Sequence, residues 1–507
     1  MAAIDAGELP CNASRRAGAA SLLAIAAAVT LLHLLTNSGY GFHRDELQFL
    51  SDARHMDFGF VPYPPFTCAV EGLGLELFGL SPVGLRLFSV LAQTAAVILT
   101  GLMAREVGGG RLAQFTAMLA VAFSPVPLFQ GTEFQYSSFD LLWWVLTAFF
   151  TLRLLRTQNP RWWLGIGGAI GMGLETKYTI CFIAVGLLLG LLVSPSRNLL
   201  WNRWFVSGVA LALLIFLPNL IWQSRHGFIT LHFLQYIHAR DVRLGRGKDF
   251  WFKQFFVCSN IWAAPLWLAG IWLYLRHKRY RPLAMMYLFP ALFFTATHAV
   301  FYYLAPAYPM LTAMGATGLA HWLASLRPLW RNTLAVFELL GLVGGSIVGI
   351  AMVIPFPAGW WFHDFGLKHN DALREEIGWN ELVQTVAHIR DSLPAEQQAH
   401  LGITTGNYGE YGAIEILGRG YGLPEPIGTT NSEWLRGYPT TPPTTLIVLG
   451  LGAGEANAIF TGCRLAGHNG NSAGVRNEES QYHPDIFVCG PPRKPWAELW
   501  REHQTFG

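Results

Sequence analysis

The residues best suited to chemistry form a short charged patch near the start of the chain. His43, Arg44, Asp45 and Glu46 follow a long apolar run at 17–35. Ionisable side chains are rare at the mouth of a membrane helix because they are costly to keep there, and those that occur usually have a function. A carboxylate in this position can accept a proton from a substrate hydroxyl. We therefore expect Asp45 and Glu46 to be functional residues, with Glu46 either acting directly or only orienting its neighbour.

The composition places the whole chain in a bilayer. Hydrophobic residues make up 52% of the 507 residues and charged residues only 13%, with 34 Phe and 19 Trp. Such a chain is too apolar for a soluble globular protein of this length. The formal net charge of +3 is small, and the basic residues lie in short clusters between apolar runs. They indicate membrane orientation and give no reason to expect a nucleic-acid partner.

Apolar runs of about 17 to 25 residues, the length that crosses a bilayer, recur as far as residue 355. We expect about eleven transmembrane helices, near 17–36, 84–104, 112–130, 139–155, 161–175, 178–194, 204–222, 252–275, 282–298, 302–324 and 333–355. The segment 64–79 is apolar but shorter and carries Glu71 and Glu76. It is therefore expected to be a re-entrant or interfacial helix.

The loop charges predict the orientation in the cell inner (cytoplasmic) membrane. If the N-terminus with Arg15 and Arg16 is cytoplasmic, the inner loops hold many basic residues, whereas the outer turns at 131–138 and 298–302 hold none. This asymmetry follows the positive-inside rule. Polar residues far apart in the chain are then expected to converge on the outer side: Asp45, Glu46, Glu133, Gln135, Asp140, Glu175, Lys177, His298, Tyr302 and Tyr303.

The chain changes character after residue 358. It becomes polar and rich in Gly and Pro, with an amphipathic helical pattern at 381–390 and strand-like runs at 400–404, 445–449 and 485–489. We predict a transmembrane domain over 1–358 and a soluble extracytoplasmic α/β domain over 359–507. In an oxidising compartment Cys463 and Cys489 could pair.

Several short motifs carry a family resemblance through their order and spacing. They are Arg44-Asp-Glu46, Tyr63-Pro-Pro-Phe66, Gly79-Leu-Ser-Pro-Val-Gly-Leu-Arg86, Gly173-Leu-Glu-Thr-Lys177 and Tyr302-Tyr-Leu-Ala-Pro-Ala-Tyr-Pro309. Together they resemble the polyprenyl-phosphate-sugar-dependent glycosyltransferases of the GT-C fold. That superfamily includes protein O-mannosyltransferases, the lipid A aminoarabinose transferase and rhizobial galacturonosyltransferases. The later motifs Gly406-Asn-Tyr-Gly-Glu-Tyr-Gly-Ala413 and Tyr421-Gly-Leu-Pro424 resemble a bacterial subgroup of family 39.

The resemblance implies an inverting transfer at the outer face of the membrane. A sugar leaves a polyprenyl phosphate and joins a hydroxyl of a lipid, glycan or protein acceptor. Asp45 matches the acidic residue of the family's first loop, which implies that it takes the acceptor's proton. The alternative for Asp45 is a solvated loop charge paired with Arg44 or Arg54.

The departing phosphate needs cations and hydroxyls aimed at its oxygens. By position in the resembling motifs, Lys177 and Tyr303 are expected to bind it. The basic loop at 223–250, expected on the outer side, adds Arg240 and Arg243 as candidates. The alternatives are a snorkelling lysine at position 177 and an aromatic-belt tyrosine at position 303.

The remaining site predictions concern contacts with the sugar and the acceptor. The residues expected to make them are Tyr63, Glu133, Gln135, His298 and Tyr302. For the turn with Glu133 and Gln135, a helix-capping role is the alternative. At Pro62-Tyr63 the chain departs from the aminoarabinose transferase, which has Glu-Lys before its Pro-Pro, so the donor sugar cannot be carried over from that enzyme.

No cofactor is expected, although a divalent metal held by His43, Asp45 and Glu46 is an open alternative. A secondary transporter or lipid-linked-sugar flippase would also place charges in a helical bundle. Such proteins commonly have internal repeats and broken helices at the midplane. The sequence instead lacks a visible repeat and gathers its polar groups at one face, which favours the enzyme. A receptor-like protein that binds a polymer through its tail would require structural roles for the membrane charges.

Overall fold

The computed structural model describes residues 12–507, with side chains from Leu22 onward. The side chains of Arg15 and Arg16 lie outside the described part. The chain forms two compact units. Unit 1 takes in the described residues up to Asn37, Arg86–Ser224 and His238–Ile354, and unit 2 takes in Ser38–Leu85, Arg225–Ile237 and Pro355–Gly507. The predicted domain boundary after residue 358 lies close to Ile354, where the chain last leaves unit 1. Unit 2 also holds two earlier segments, which the prediction assigned to the transmembrane domain.

Helices dominate the described residues. The α-helices, numbered α1 to α25 in chain order, are Asn12–Thr36, Arg44–Arg54, Phe66–Phe78, Pro82–Glu106, Arg111–Ala122, Pro125–Phe129, Tyr136–Thr157, Trp162–Leu174, Ile180–Leu192, Arg203–Arg225, Ile229–Arg243, Phe250–Lys253, Ala264–Arg276, Arg281–Ala296, Tyr308–Ala324, Pro328–Val353, His363–His369, Asp371–Arg374, Trp379–Asp391, Ala395–Ala399, Tyr408–Ile416, Glu433–Arg436, Ala453–Ile459, Glu478–Tyr482 and Trp496–Glu502. Short 3-10 helices are Pro195–Leu200, Ile261–Ala263, Lys278–Tyr280, Phe301–Ala307 and Gly418–Tyr421, and a π-helical turn spans Gln254–Cys258. The strands β1 to β5 are Leu401–Thr405, Pro426–Gly428, Thr445–Val448, Arg464–His468 and Asp485–Cys489.

Among the described residues, α4, α7, α10 and α16 are long and apolar enough to cross a membrane. The pair Phe250–Cys258 and Ile261–Arg276, which is bent by 99°, would add a fifth span if it counts as one. Several of the other expected spans are short helices: α8 and α9 have 13 residues each. At a rise of about 1.5 Å per residue such a helix is about 20 Å long, against about 30 Å for a hydrocarbon core. The count of about eleven spans stays a prediction, as does the membrane placement of α3, the helix expected at 64–79.

Small residues allow the helices of unit 1 to pack closely. A Cβ atom at Gly315 on α15 would lie 1.7 Å from the carbonyl oxygen of Leu266 on α13, and one at Gly270 would lie 2.0 Å from that of Leu311. Neither position tolerates a larger side chain without separating the two helices. Glycine at helix crossings is a common solution where lipid removes the hydrophobic drive for association. Large buried side chains, among them Trp144 and Trp267, fill the remaining core.

Unit 2 is built around a five-stranded sheet with the strand order β2-β1-β3-β5-β4. Strands β2, β1 and β3 run parallel, and β5 runs antiparallel to both β3 and β4. Side chains alternate between the two faces, as the pleat of a strand requires. Ile447 packs into a core with α2, α19 and α21, whereas Leu446 and Val448 pack into a second core with α23 and α25. The helix and the three strands expected from the sequence are confirmed by α19, β1, β3 and β5.

A disulfide joins Cys463 and Cys489. It ties the residue before β4 to the last residue of β5, so it links two neighbouring strands. The pairing that the sequence left open is therefore present.

Candidate active site

Helix α2 begins at the charged patch, in unit 2, and its first turn is fixed by a reciprocal cap. The backbone N–H of Asp45 donates to His43 Nδ1 at 3.1 Å, and the backbone N–H of His43 donates to Glu46 Oε2 at 2.8 Å. This capping box satisfies donors that a helix start leaves unpaired. Glu46 is buried, with 1% exposure, and its carboxylate holds the helix start. The geometry thus favours the orienting role for Glu46.

Asp45 differs from its neighbours because its side chain reaches solvent. It is 29% exposed, and its Oδ1 accepts a hydrogen bond of 2.9 Å from the hydroxyl of Tyr408 on α21. A partly exposed carboxylate with one oriented donor can take a proton from an incoming hydroxyl. Tyr408 lies in the Gly406–Ala413 motif, but nothing in that motif singles it out as a partner of Asp45.

Arg44 and Arg54, the two arginines suggested as partners of Asp45, both have other contacts as well. The guanidinium of Arg44 lies 4.6 Å from the centroid of the Tyr408 ring and forms ion pairs with Glu478 and, at 3.4 Å, with Glu479. Arg44 is itself only 8% exposed. Arg54 donates to the backbone carbonyl of Glu415 at 3.3 Å. Asp45 still interacts electrostatically with Arg44, so the alternative of a loop charge paired with Arg44 stays open.

The opposite end of α2 carries a second, fully buried carboxylate. Asp52 accepts hydrogen bonds of 2.6 Å from Arg436 Nη2 and 2.6 Å from the hydroxyl of Tyr63. Arg436 also contacts Ser51 at 2.8 Å and Glu415 at 3.4 Å. Tyr63, expected to contact substrate, is buried at 4% exposure. The structure thus gives the Tyr63 hydroxyl a partner inside unit 2, while its substrate role stays a prediction.

Three residues that sequence reasoning missed are Tyr408, Glu415 and Arg436. For Tyr408 the sequence offers one signal, the spacing of Gly409 and Gly412. Glycines three residues apart on one helix allow a second helix to approach. Nothing in the sequence around Arg436 identifies Asp52 as its partner.

In unit 1 the structure brings together the residues expected to bind phosphate. Lys177 lies between α8 and α9, and its Nζ stands 4.5, 4.7 and 5.1 Å from the ring centroids of Tyr303, Tyr136 and Tyr302. Cation–π contacts at these distances hold an ammonium without neutralising it. Asp140 interacts electrostatically with Lys177, and its Oδ2 accepts a hydrogen bond of 2.8 Å from Thr179.

Of the two arginines expected from the basic loop, Arg240 belongs to the group around Lys177. Tyr303 interacts electrostatically with Arg240 and Asp241, and Arg240 Nε lies 3.6 Å from Asp241 Oδ1. Arg243, at the end of α11, is exposed to solvent. Among the expected phosphate ligands, Lys177, Tyr303 and Arg240 thus gather, and Arg243 stands at the surface.

The remaining predicted contacts occupy different environments within unit 1. Glu133 is buried at 1% exposure and accepts a hydrogen bond of 3.3 Å from Gln135 Nε2. Gln135 precedes α7 but its side chain makes no capping hydrogen bond to the helix. His298 is exposed and has a φ of 52°, which places it in the left-handed region. Tyr302 belongs to the group around Lys177.

The open metal alternative finds little support from the donors. Within residues 12–507 no three His, Cys, Asp or Glu side chains are grouped so as to hold a metal ion. His43 and Glu46 are both used in the cap of α2. The expectation that no cofactor takes part remains a prediction.

Comparison with known proteins gives a consistent result. Residues 63–222 match the family described as dolichyl-phosphate-mannose-protein mannosyltransferase. The lipid A galacturonosyltransferase RgtD of Rhizobium johnstonii is 24% identical over 357 residues, which cover 69% of this chain and 72% of that protein. Crystal structures of ArnT from Cupriavidus metallidurans are similar in fold. The apo form has a TM-score of 0.57 at 14% identity and the form bound to undecaprenyl phosphate 0.53 at 16%, covering 93% of this chain and 98% and 97% of those chains.

The chain is a glycosyltransferase with the GT-C fold. The expectation from the sequence motifs is confirmed, and the transporter or flippase alternative is not favoured. The four long apolar helices among the described residues of this GT-C glycosyltransferase, or five spans with the bent pair, fit a multi-pass membrane protein.

Proposed function

We propose that the enzyme moves a sugar from a polyprenyl-phosphate donor to an acceptor hydroxyl, with inversion, at the outer face of the cytoplasmic membrane. We also propose that the chain has about eleven transmembrane spans, a cytoplasmic N-terminus and an extracytoplasmic segment over 359–507. Two observations support it beyond the sequence: an ArnT structure of similar fold is bound to undecaprenyl phosphate, and the Cys463–Cys489 disulfide suits an oxidising compartment.

The observation that carries the proposal is the placement of Lys177 among Tyr136, Tyr302 and Tyr303. The donor phosphate is a diester with one negative charge, and it leaves as a monoester with a second charge developing. A cation held by aromatic rings, away from bulk water, stabilises this developing charge more than the ground state. The Tyr303 hydroxyl and Arg240 can add donors to the same oxygens.

Asp45 completes the proton balance. The acceptor oxygen attacks the anomeric carbon as the bond from that carbon to the phosphate oxygen breaks, and its proton passes to the Asp45 carboxylate. Because a phosphate ester leaves without protonation, no general acid and no metal are needed. We therefore propose that the transfer uses no cofactor. The acceptor is a lipid, glycan or protein hydroxyl.

The first test combines lipid identification with substitution of Lys177. Mass spectrometry of lipids that co-purify with the enzyme should find a polyprenyl phosphate or its glycosylated form. That donor then serves in a transfer assay that follows release of polyprenyl phosphate and formation of the glycosidic bond. Lys177→Met should reduce the rate by about a hundredfold, the size expected for loss of one electrostatic stabiliser of the transition state.

The matched control is Lys278→Met, which removes an exposed lysine of the same unit and should leave the rate unchanged. Equal rates for the two variants would contradict the role of Lys177. Movement of the donor across vesicles with no glycosidic bond formed would overturn the proposed function itself.

A further inference from the structure

Helix α21 lies unusually close to α2, the helix that carries Asp45. A Cβ atom at Gly412 would stand 2.5 Å from the carbonyl oxygen of Leu47, and one at Gly409 would stand 3.1 Å from Cβ of Arg44. Glycine at these two positions therefore lets the two backbones approach. The approach brings the first residue of α21, Tyr408, beside the first turn of α2.

Tyr408 is held through its hydroxyl and through the face of its ring. Its hydroxyl donates to Asp45 Oδ1 at 2.9 Å, and the guanidinium of Arg44 covers its face at 4.6 Å. Arg44 is in turn fixed by ion pairs with Glu478 and Glu479 on α24. This chain of contacts fixes the direction from which the hydroxyl reaches Asp45.

Several charged groups surround this contact. His43 and Glu46 belong to the cap of α2, Arg44 follows the cap, Glu410 lies on α21, and Glu478 and Glu479 approach Arg44 from α24. Burial, and secondly the negative charge of Asp45, raise the pKa of Tyr408 well above its usual value, although Arg44 opposes the change. The hydroxyl thus keeps its proton and remains a donor over the working pH range.

We propose that Tyr408 is a positioning residue for the catalytic carboxylate of Asp45, so that the segment after the last long apolar helix takes part in catalysis. The inference rests on the proposed role of Asp45 as the base. By donating to Oδ1, Tyr408 restrains the side-chain rotamer of Asp45, whose Oδ2 lies 3.9 Å from His43 Nδ1. The same hydrogen bond favours the charged carboxylate, which is the form that accepts a proton.

The test is Tyr408→Phe, which removes the hydroxyl and keeps the ring that Arg44 covers. A hydrogen bond to a charged group is worth about tenfold in rate or more. We therefore expect kcat to fall about tenfold, with the donor KM unchanged. The acidic limb of the pH–rate profile should move to higher pH by about one unit, since loss of the donor makes the carboxylate easier to protonate.

Tyr421→Phe is the matched control, because the exposed Tyr421 hydroxyl in the same unit contacts only Gln384 among the hydrogen bonds seen for the described residues, at 3.0 Å. It should keep the wild-type rate and profile. A merely structural role of Tyr408 would lower the melting temperature and leave the acidic limb in place, and that result would overturn the inference.

A parallel Asp45→Asn variant distinguishes a failure of the positioning role of Tyr408 from a failure of the role of Asp45 as base. An inactive Asp45→Asn enzyme beside a fully active Tyr408→Phe enzyme would refute the positioning role and leave the proposed function intact. A fully active Asp45→Asn enzyme would refute the role of Asp45 as base.

Discussion

Two aspartates stand two turns apart on α2 and have opposite surroundings. Asp45 is 29% exposed, accepts a hydrogen bond from the Tyr408 hydroxyl and has His43 Nδ1 3.9 Å from its Oδ2. Asp52 has no exposed surface and is held by the guanidinium of Arg436 and the hydroxyl of Tyr63. Tyr408 and Arg436 lie 363 and 384 positions after the aspartates that they contact, so late segments of unit 2 hold this helix at both ends.

The comparison shows how one helix can carry a reactive group and a structural one of the same type. A carboxylate that is buried against a cation cannot approach a substrate or release its partner without a large cost. A carboxylate that reaches solvent beside a neutral donor can do both. Burial, which depends on distant parts of the chain, therefore separates the two roles.

The largest expected change in stability comes from removing Arg436, which binds Asp52 at the buried end of α2. Arg436→Met leaves the buried carboxylates of Asp52, Glu415 and Glu433 without their guanidinium, so the free energy of unfolding should fall by about 3 to 5 kcal/mol. Denaturant unfolding of the purified protein at pH 7 measures this change. The loss should shrink at acid pH, where the carboxylates take up protons.

The exposed pair of Arg419 and Glu425 provides the control for that prediction. Their side chains are 53% and 62% exposed and lie 2.8 Å apart. Arg419→Met should change the free energy of unfolding by less than about 1 kcal/mol. If Arg436→Met were equally mild, the Asp52 end of α2 would not be the structural anchor described above.

A pH-dependent change in stability should distinguish the Asp45 end of α2 from the Asp52 end. Glu410, on the helix that bears Tyr408, is 1% exposed, and burial, with Glu479 nearby, raises its pKa from 4.5 to about 8. The unfolded chain loses this proton at lower pH than the folded protein does. Stability should therefore fall as pH rises from about 4.5 to 8, by at most about 1.4 kcal/mol per pH unit for this one group.

Glu410→Gln removes the titration and should flatten that slope in a series of unfolding measurements across pH. The exposed Glu425→Gln variant should leave the slope as it is in the wild type. A Glu410→Gln protein with the full wild-type slope would show that Glu410 does not stay protonated in the folded state.

Local features of the fold and site could be predicted from the sequence. Periodicity predicted α19 and three strands, and the motif order predicted that Lys177 and Tyr303 belong to one group. The sequence could not show that Tyr408 would contact Asp45, because that hydrogen bond joins residues 363 positions apart and depends on two glycines at a helix crossing. It also could not tell Asp45 from Asp52, since burial is a property of the packed unit.

The most direct test substitutes the two aspartates in turn and measures both transfer rate and melting temperature. Asp45→Asn should lower the rate by about 10² to 10⁴-fold, the contribution of a general base, and keep the wild-type melting temperature. Asp52→Asn should lower the melting temperature, while the protein that remains folded transfers sugar at close to the wild-type rate. A wild-type rate in Asp45→Asn would contradict the central claim that Asp45 is the base of this glycosyltransferase.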